Sequence, residues 1–259
     1  MKFNNNKGLR ILGIFAIVLC LVMCLGITAF AAESTPVAEV NGTGYATLQA
    51  AIKEAQAGDT ITLLGNVNEN VTINKAITID GAGKTYTGEI KFKNQTVTIK
   101  NVKFVNGNIN QDGSSTTGTL TVENCTFTGM NANSNRGSYA IHTANFGNVI
   151  VNNCNANDIN LLYIRLNTLS VTVTGGIIDN TKGWGAHLVP DCTAIFDDVT
   201  FKNLEGGIVA QNPGDTKNVT FKNCKFIDNI YPVIVWNKTG SGANGGRGCI
   251  WKNDQAKSR

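Results

Sequence analysis

A short pattern recurs along this chain: an apolar-polar alternation, a turn residue and a second apolar pair. It reads VTIKNVKF from residue 97, LTVENCTF from 120, AIFDDVTF from 194 and VTFKNCKF from 219. The turn slot recurs every 20 to 29 residues and holds Gly81, Asn101, Asn124, Asn153, Gly175, Asp198 and Asn223. A period in the twenties, with insertions between copies, predicts a solenoid in which each repeat is one coil.

Each copy predicts two strands around a tight turn. Val97 and Ile99 alternate with Thr98 and Lys100, which is the period of a strand with one buried face. Asn, Gly and Asp tolerate a left-handed backbone better than other residues, so the slot between the strands predicts a left-handed turn. If coils stack at about 4.8 Å, Asn side chains in this slot can bond one another. We therefore predict a structural turn ladder of Asn101, Asn124, Asn153, Asp198 and Asn223.

A third strand precedes the later copies and ends in Asn or Asp. Its versions are IHTAN from residue 141, YIRLN from 163, HLVPD from 187, IVAQN from 208 and VIVWN from 233. Three strands and three turns per coil predict an all-β parallel β-helix, whose backbone hydrogen bonds run between coils.

Residues 40 to 237 resemble the right-handed parallel β-helix proteins of the pectate-lyase-like superfamily. The resemblance rests on the Asn-turn copies and on the opening YATLQAAIKEAQAGDTITL, which is similar to the N-terminal cap of that family. It implies a single-stranded, right-handed parallel β-helix solenoid with a short N-terminal capping helix.

Residues 1 to 31 are typical of a secretory signal peptide. An apolar run at residues 11 to 27 follows three cations, Lys2, Lys7 and Arg10. It precedes the small residues of Ala29-Phe30-Ala31. A membrane anchor is the alternative, but the run is short for a bilayer span. We expect cleavage, no membrane association afterwards, and a secreted or cell-surface location.

The rest of the chain divides into three segments. Residues 32 to 58 hold an N-terminal segment and the capping helix, which Gly58 ends. The apolar residues of this helix follow helical spacing: Leu48, Ala51, Ile52 and Ala55. Residues 59 to 238 form the β-helix. Residues 239 to 259 lose the period, which predicts a flexible tail or the cut end of a longer protein. Because an uncapped final coil exposes strand edges, we expect a homomeric contact, another partner or a missing segment to cover it.

Charge and cysteine content narrow the partners. The net charge of +4 falls to +1 without the signal peptide, which carries three cations and no carboxylate. A nearly neutral surface does not favour nucleic acid as a partner. Five cysteines remain, which is no dense disulfide framework: Cys125, Cys154, Cys192, Cys224 and Cys249. Three of them directly follow the turn slot, and we expect Cys125 and Cys154 to be stacked buried thiols.

The third strand is where a functional site is expected, because the resemblance places the substrate groove of the related enzymes on its outer side. Pectate lyases hold calcium with carboxylates and use a basic residue, often Arg, to remove a proton. Calcium needs several Asp or Glu oxygens, and these strands hold none before Asp191. Arg165 is therefore only a weak catalytic candidate, and calcium is a cofactor only under this lyase alternative.

Other catalytic and metal arrangements fit poorly. Glycoside hydrolysis needs two carboxyl groups across the bond, but the pair Asp197 and Asp198 falls on the turn slot. His142 and His187 are the only histidines and lack a third ligand at matching spacing, so no zinc site is predicted. For His142, the neighbours Ile141 and Thr143 leave open which way the side chain faces.

The predicted ligand-binding residues are Tyr163, Arg165, Trp184 and His187, with Arg136 as a further candidate from a long loop. Aromatic faces stack on sugar rings and Arg pairs with carboxylates, so the expected ligand is an acidic glycan. The alternative is that these are scattered surface residues of a solenoid.

The sequence therefore predicts a secreted or surface-displayed β-helix scaffold that binds or adheres to polysaccharide, without recognisable catalytic carboxylates. One alternative is a polysaccharide lyase or glycoside hydrolase that acts on an acidic glycan such as pectin. Another is the N-terminal module of a larger surface protein.

Overall fold

The structure, a computed structural model, describes residues 35–111, 113, 117–129, 139–165, 168–179, 183–189, 192–211, 218–236 and 247–251. The chain divides into two compact units, Met1–Thr35 and Pro36–Arg259, and the fold described below is that of the second. The predicted signal peptide, Arg136 and Asp191 lie outside the described residues.

One helix and a long series of short strands make up the described chain. The helix, α1, is Leu48–Glu54. The strands are β1 (Ala38–Val40), β2 (Thr43–Tyr45), β3 (Thr60–Leu63), β4 (Val67–Asn68), β5 (Val71–Ile73), β6 (Thr78–Asp80), β7 (Thr85–Phe92), β8 (Val97–Lys100), β9 (Lys103–Gln111), β10 (Thr119–Glu123), β11 (Thr126–Thr128), β12 (Tyr139–Ala144), β13 (Asn148–Asn152), β14 (Asn155–Asn157), β15 (Asn160–Arg165), β16 (Ser170–Thr174), β17 (Ile177–Asp179), β18 (Trp184–Leu188), β19 (Thr193–Asp197), β20 (Thr200–Lys202), β21 (Gly206–Gln211), β22 (Asn218–Lys222), β23 (Lys225–Ile227), β24 (Tyr231–Trp236) and β25 (Arg247–Trp251).

These strands wind into a parallel β-solenoid of about six turns, which confirms the predicted fold class. The first face is a ten-stranded sheet in the order β2-β1-β3-β6-β8-β10-β13-β16-β19-β22. The second face (β11, β14, β17, β20, β23) and the third face (β12, β15, β18, β21, β24) belong to one fifteen-stranded sheet, because β7 and β9 run through both. The right hand of the winding stays a prediction.

Inward side chains stack in columns because the coils pair in register. On the first face, one such column contains fully buried apolar residues: Val97, Leu120, Val149, Val171 and Ala194. On the second face, the rings of Phe104 and Phe127 stack with their centroids 4.7 Å apart and their planes 8° apart. Such ring pairs add about 0.5–1.5 kcal/mol beyond the burial of their area.

The turn slot after the first face has the predicted left-handed backbone. The φ angles lie between 51° and 57° at Asn101, Asn124, Asn153, Asp198 and Asn223. The backbone N–H groups of the first four of these residues donate to a carbonyl of the next coil. Examples are the bonds from Asn124 to Asn152 (2.9 Å) and from Asp198 to Lys222 (2.9 Å). The inter-coil hydrogen bonds therefore continue through the bend.

The side-chain ladder at this slot is only partial. The amide of Asn124 lies 3.5 Å from the amide oxygen of Asn101. Asn101 and Asn223 instead donate to Asp80 (3.0 Å) and Asp197 (3.2 Å), carboxylates that end the strand of the preceding coil. Upstream, the left-handed residues are Ala82 and Gly83, so Gly81 shares the register of the slot but not its conformation.

A second series of left-handed polar residues, which was not predicted from the sequence, separates the second face from the third. Asp158, Asn203 and Asp228 each directly follow a second-face strand, with φ angles between 52° and 57°. The side-chain amide of Asn203 donates to Asp179 on the neighbouring coil (2.7 Å). This second corner fixes where each third-face strand begins.

The N-terminal end is closed by the predicted helix and by a hairpin that was not predicted. Thr47 caps the start of α1 by accepting from Ala50 N–H (3.1 Å), and the Lys75 ammonium donates to the carbonyl of Lys53 at its end (2.6 Å). The helix ends at Glu54 rather than continuing to Gly58. The hairpin of β1 and β2 turns at Asn41-Gly42, both left-handed, and β1 pairs antiparallel with β3.

The C-terminal segment, predicted to be a flexible tail or the cut end of a longer protein, carries one further strand. Residues 247–251 form β25, which pairs antiparallel with β24 and covers the edge of the third face. On the other two faces, β22 and β23 are the last strands within the described residues. The inward residues Val219, Phe221 and Phe226 of this coil are only partly buried. Their counterparts one coil earlier are fully buried. The predicted homomeric contact at this end stays a prediction.

Replacing the left-handed Asn153 by Ala should lower the free energy of unfolding by about 1 kcal/mol, because Ala tolerates positive φ poorly. Asn153→Gly should cost less, since Gly adopts this backbone without strain. Urea unfolding measures both. The control is Asn157→Ala, on an exposed strand position of the same coil; an equal loss there would contradict a special role for the turn.

Candidate functional site

The third face carries one outward column of functional side chains on successive coils. Lys91 pairs in register with Asn110, Asn110 with His142, His142 with Tyr163, and Tyr163 with His187. Successive members are therefore separated by one strand spacing, about 4.8 Å. The ambiguity at His142 is resolved, because Ile141 and Thr143 are fully buried and point inward.

Four of the aromatic and imidazole rings on this face form a stack along the solenoid axis. Tyr163 lies at its centre, with ring centroids 4.7 Å from Tyr139, 5.2 Å from His142 and 4.9 Å from His187. All three pairs are stacked, with interplanar angles between 14° and 25°. We call Tyr139, His142, Tyr163 and His187 the ring stack.

Trp184 closes one end of the ring stack. Its indole meets His187 edge-on, with centroids 4.9 Å apart. The buried Asn160 fixes the backbone here, because its side-chain oxygen accepts from Trp184 N–H (2.7 Å). A side chain at position 183 would collide with the same oxygen, so the backbone can come this close to Asn160 only because residue 183 is glycine.

Arg165 is the exposed cation of the site. It lies two residues after Tyr163 on β15, and its guanidinium carbon is 5.9 Å from the centre of the Tyr163 ring. This distance is at the limit of a cation–π contact. The predicted binding residues Tyr163, Arg165, Trp184 and His187 are thus neighbours in the structure, while their role in binding stays a prediction.

The ring stack changes how a sugar could be bound. Tyr163 has rings against both of its faces, and Tyr139, Trp184 and His187 are buried. The sequence predicts that sugar rings stack on the aromatic faces of this site. In the structure a sugar cannot lie flat on Tyr163, because both faces of its ring are covered. Tyr163 and His142 are partly exposed, but the Nε2 of His142 is buried, so the phenol of Tyr163 is the group of the ring stack that can offer a ligand a hydrogen-bond donor and acceptor.

Sequence reasoning missed Tyr139 as a member of this site. It precedes the third-strand motif IHTAN by two residues and lies next to a long insertion, so the repeat pattern did not include it. Burial, with a contribution from the nearby Tyr163 phenol, raises the pKa of Tyr139 well above that of a free tyrosine.

The charges around the site are mostly positive. β12, β15 and β18 contain no Asp or Glu. Exposed Lys91 and Lys93 lie near the other end of the column, and Glu89 forms an ion pair with Lys91 (3.1 Å). Among the described residues, no three His, Cys, Asp or Glu side chains converge in a way that could hold a metal ion.

Two other features lie away from the third face. A surface hollow of about 470 Å³ at the first corner is lined by Ala82, Gly83, Asn101, Val102, Lys103, Asn124 and Thr126. Cys125 and Cys154 are free, buried thiols on adjacent coils, and they donate to the carbonyls of Glu123 (3.3 Å) and Asn152 (3.4 Å). A hydrogen bond with Cys125, together with burial, raises the pKa of Cys154.

In comparisons with known proteins, no family model, curated protein or solved structure matches this chain. The class that the fold defines is a parallel β-solenoid, and the pectate-lyase-like superfamily remains a resemblance. The helix within the described residues is too short to cross a membrane.

The raised pKa of Tyr139 predicts a loss of stability at alkaline pH. Its contribution is complete below the unfolded-state pKa, about 10, and is lost as the pH rises above that value, because ionisation is easier in the unfolded chain. Tyr139→Phe keeps the ring and should reduce the fall in unfolding free energy between about pH 8 and pH 11. Urea unfolding at both pH values measures it, with Tyr45→Phe as control; an unchanged fall in Tyr139→Phe would contradict the assignment.

Proposed function

We propose that this protein is a non-catalytic scaffold, secreted or displayed at the cell surface, that binds an acidic polysaccharide along its third face. The observation that carries the proposal is the register of His142, Tyr163 and His187 on successive coils, with Arg165 beside them. Inter-coil hydrogen bonds hold this array rigid, so little conformational entropy is lost when an extended polymer binds.

Each group in the array has a distinct chemical use. The guanidinium of Arg165 can pair with a carboxylate through two parallel hydrogen bonds. The phenol of Tyr163, which is partly exposed, can exchange hydrogen bonds with sugar hydroxyls. The other rings of the ring stack act mainly as a support, because their packing against Tyr163 fixes the position of its ring.

The lyase alternative has less support from this face. It needs a base beside a calcium ion held by carboxylates. Arg165 could take the position of the base, but its own strand and the two flanking strands, β12 and β18, supply no carboxylate ligand. We therefore propose binding without turnover.

Replacing Arg165 by Gln should weaken binding to polygalacturonate about fivefold, the equivalent of roughly 1 kcal/mol for an exposed ion pair. Isothermal titration calorimetry measures the affinity, and Lys225→Gln removes another exposed cation, on the second face, as the matched control. Methyl-esterified polygalacturonate, which lacks the charge, should bind more weakly than the acid form.

Three results would contradict this proposal. No binding to polygalacturonate would reject the acidic ligand, and equal losses in Arg165→Gln and Lys225→Gln would reject the third face as the site. Formation of unsaturated product with calcium present, followed by ultraviolet absorbance and lost in Arg165→Gln, would establish the lyase alternative instead.

A further inference from the structure

The third face has a second cationic region that the predicted site did not include. Lys91 and Lys93 are both exposed: Lys91 is the second-last residue of β7, and Lys93 directly follows that strand. Lys91 occupies the same outward column as Asn110, His142 and Tyr163. The two lysines and Arg165 thus lie on the same face, Lys91 and the strand of Arg165 being three coils apart.

The separation of these ends follows from the register. Three strand spacings lie between Lys91 and Tyr163, so Lys91 and the strand that carries Arg165 are about 14 Å apart along the solenoid axis. The Debye length at physiological ionic strength is about 8 Å. A carboxylate bound at Arg165 alone is therefore largely screened from Lys91, and only a ligand that reaches both ends can use both.

We propose that the third face recognises its acidic polymer at two charged subsites, Arg165 and Lys91, with the polymer running along the solenoid axis over β7, β9, β12 and β15. This inference rests on the proposed function and adds the direction and minimum length of the ligand. Between the charged ends, the column presents two partly exposed neutral groups, the amide of Asn110 and the phenol of Tyr163. These groups fit the uncharged hydroxyls of a sugar chain.

Glu89 is the competitor for the ligand at the second subsite. One of its carboxylate oxygens lies 3.1 Å from the Lys91 ammonium and the other accepts from the Asn110 amide (2.7 Å). The Lys91 side chain is 49% exposed, and exposed ion pairs are worth only about 0–1 kcal/mol. Lys91 can therefore exchange Glu89 for a ligand carboxylate at little cost.

The distinguishing property is dependence on ligand length. Short ligands bind one subsite, whereas ligands long enough to span both gain the second contact as an intramolecular step. The affinity should therefore rise in a step at the bridging length. Lys91→Gln should remove that step, about fivefold in affinity, without changing the binding of shorter ligands.

The experiment is a calorimetric titration of the full chain with oligogalacturonides that increase by one sugar at a time, at about 0.15 M salt. Wild type, Lys91→Gln, Glu89→Gln and the second-face control Lys225→Gln are compared. We expect the step in wild type and in Lys225→Gln, its loss in Lys91→Gln, and tighter binding of the long ligands in Glu89→Gln.

The contrary outcomes separate the two proposals. Binding that Lys91→Gln weakens equally at every length, or not at all, would overturn the two-subsite inference and leave the proposed function standing. An absence of binding at every length would overturn both. Circular dichroism of each variant confirms that the β-structure is intact before titration.

Discussion

The backbone hydrogen bond from each turn residue to the next coil is the interaction on which the rest of this structure depends. The N–H of Asn153 reaches the carbonyl of Thr174 (2.8 Å), and the N–H of Gly175 reaches that of Asp197 (2.8 Å). At these positions a left-handed backbone bends the chain while keeping this N–H aimed along the axis, which explains why Asn, Gly and Asp fill the slot. Register is therefore held through the corners as well as within the strands.

That register is what converts a repetitive fold into a site. His142, Tyr163 and His187 are separated by more than 20 residues in the sequence, yet each is the direct neighbour of the next across one strand spacing. A shift of one residue in any strand would turn its outward group toward the core. The positions of the functional side chains on the third face are thus set by backbone hydrogen bonds in which those side chains take no part.

The sequence predicted the features that repeat. The alternation around Asn101, Asn124 and Asn223 specified the first face, and the Asn-ended segments located the third-face strands that bring Tyr163 and His187 together. The hairpin at Asn41-Gly42 and strand β25 each occur once and pair antiparallel, so the sequence repeat does not predict them. The left-handed Asp158 and Asn203 follow strands of only three residues, too short for the period to mark.

The geometry of the ring stack was not accessible to sequence reasoning for a different reason. Residue type places Tyr163 on the outward side, but whether its ring lies flat on the sheet or stands edge-outward depends on side-chain torsions and on the neighbours at Tyr139 and His187. Because the observed stack covers both faces of Tyr163, the proposed recognition rests on its phenol and on charge rather than on sugar stacking.

Distances along one outward column of the first face test the register most directly. Spin labels at Thr78 and at Thr172, Ile195 or Thr220, with the native cysteines replaced, span four, five and six strand spacings. Pulsed electron paramagnetic resonance should give separations near 19, 24 and 29 Å, a constant increment per coil. Separations that do not rise by a common increment would contradict the stacked coils and the aligned third-face site together.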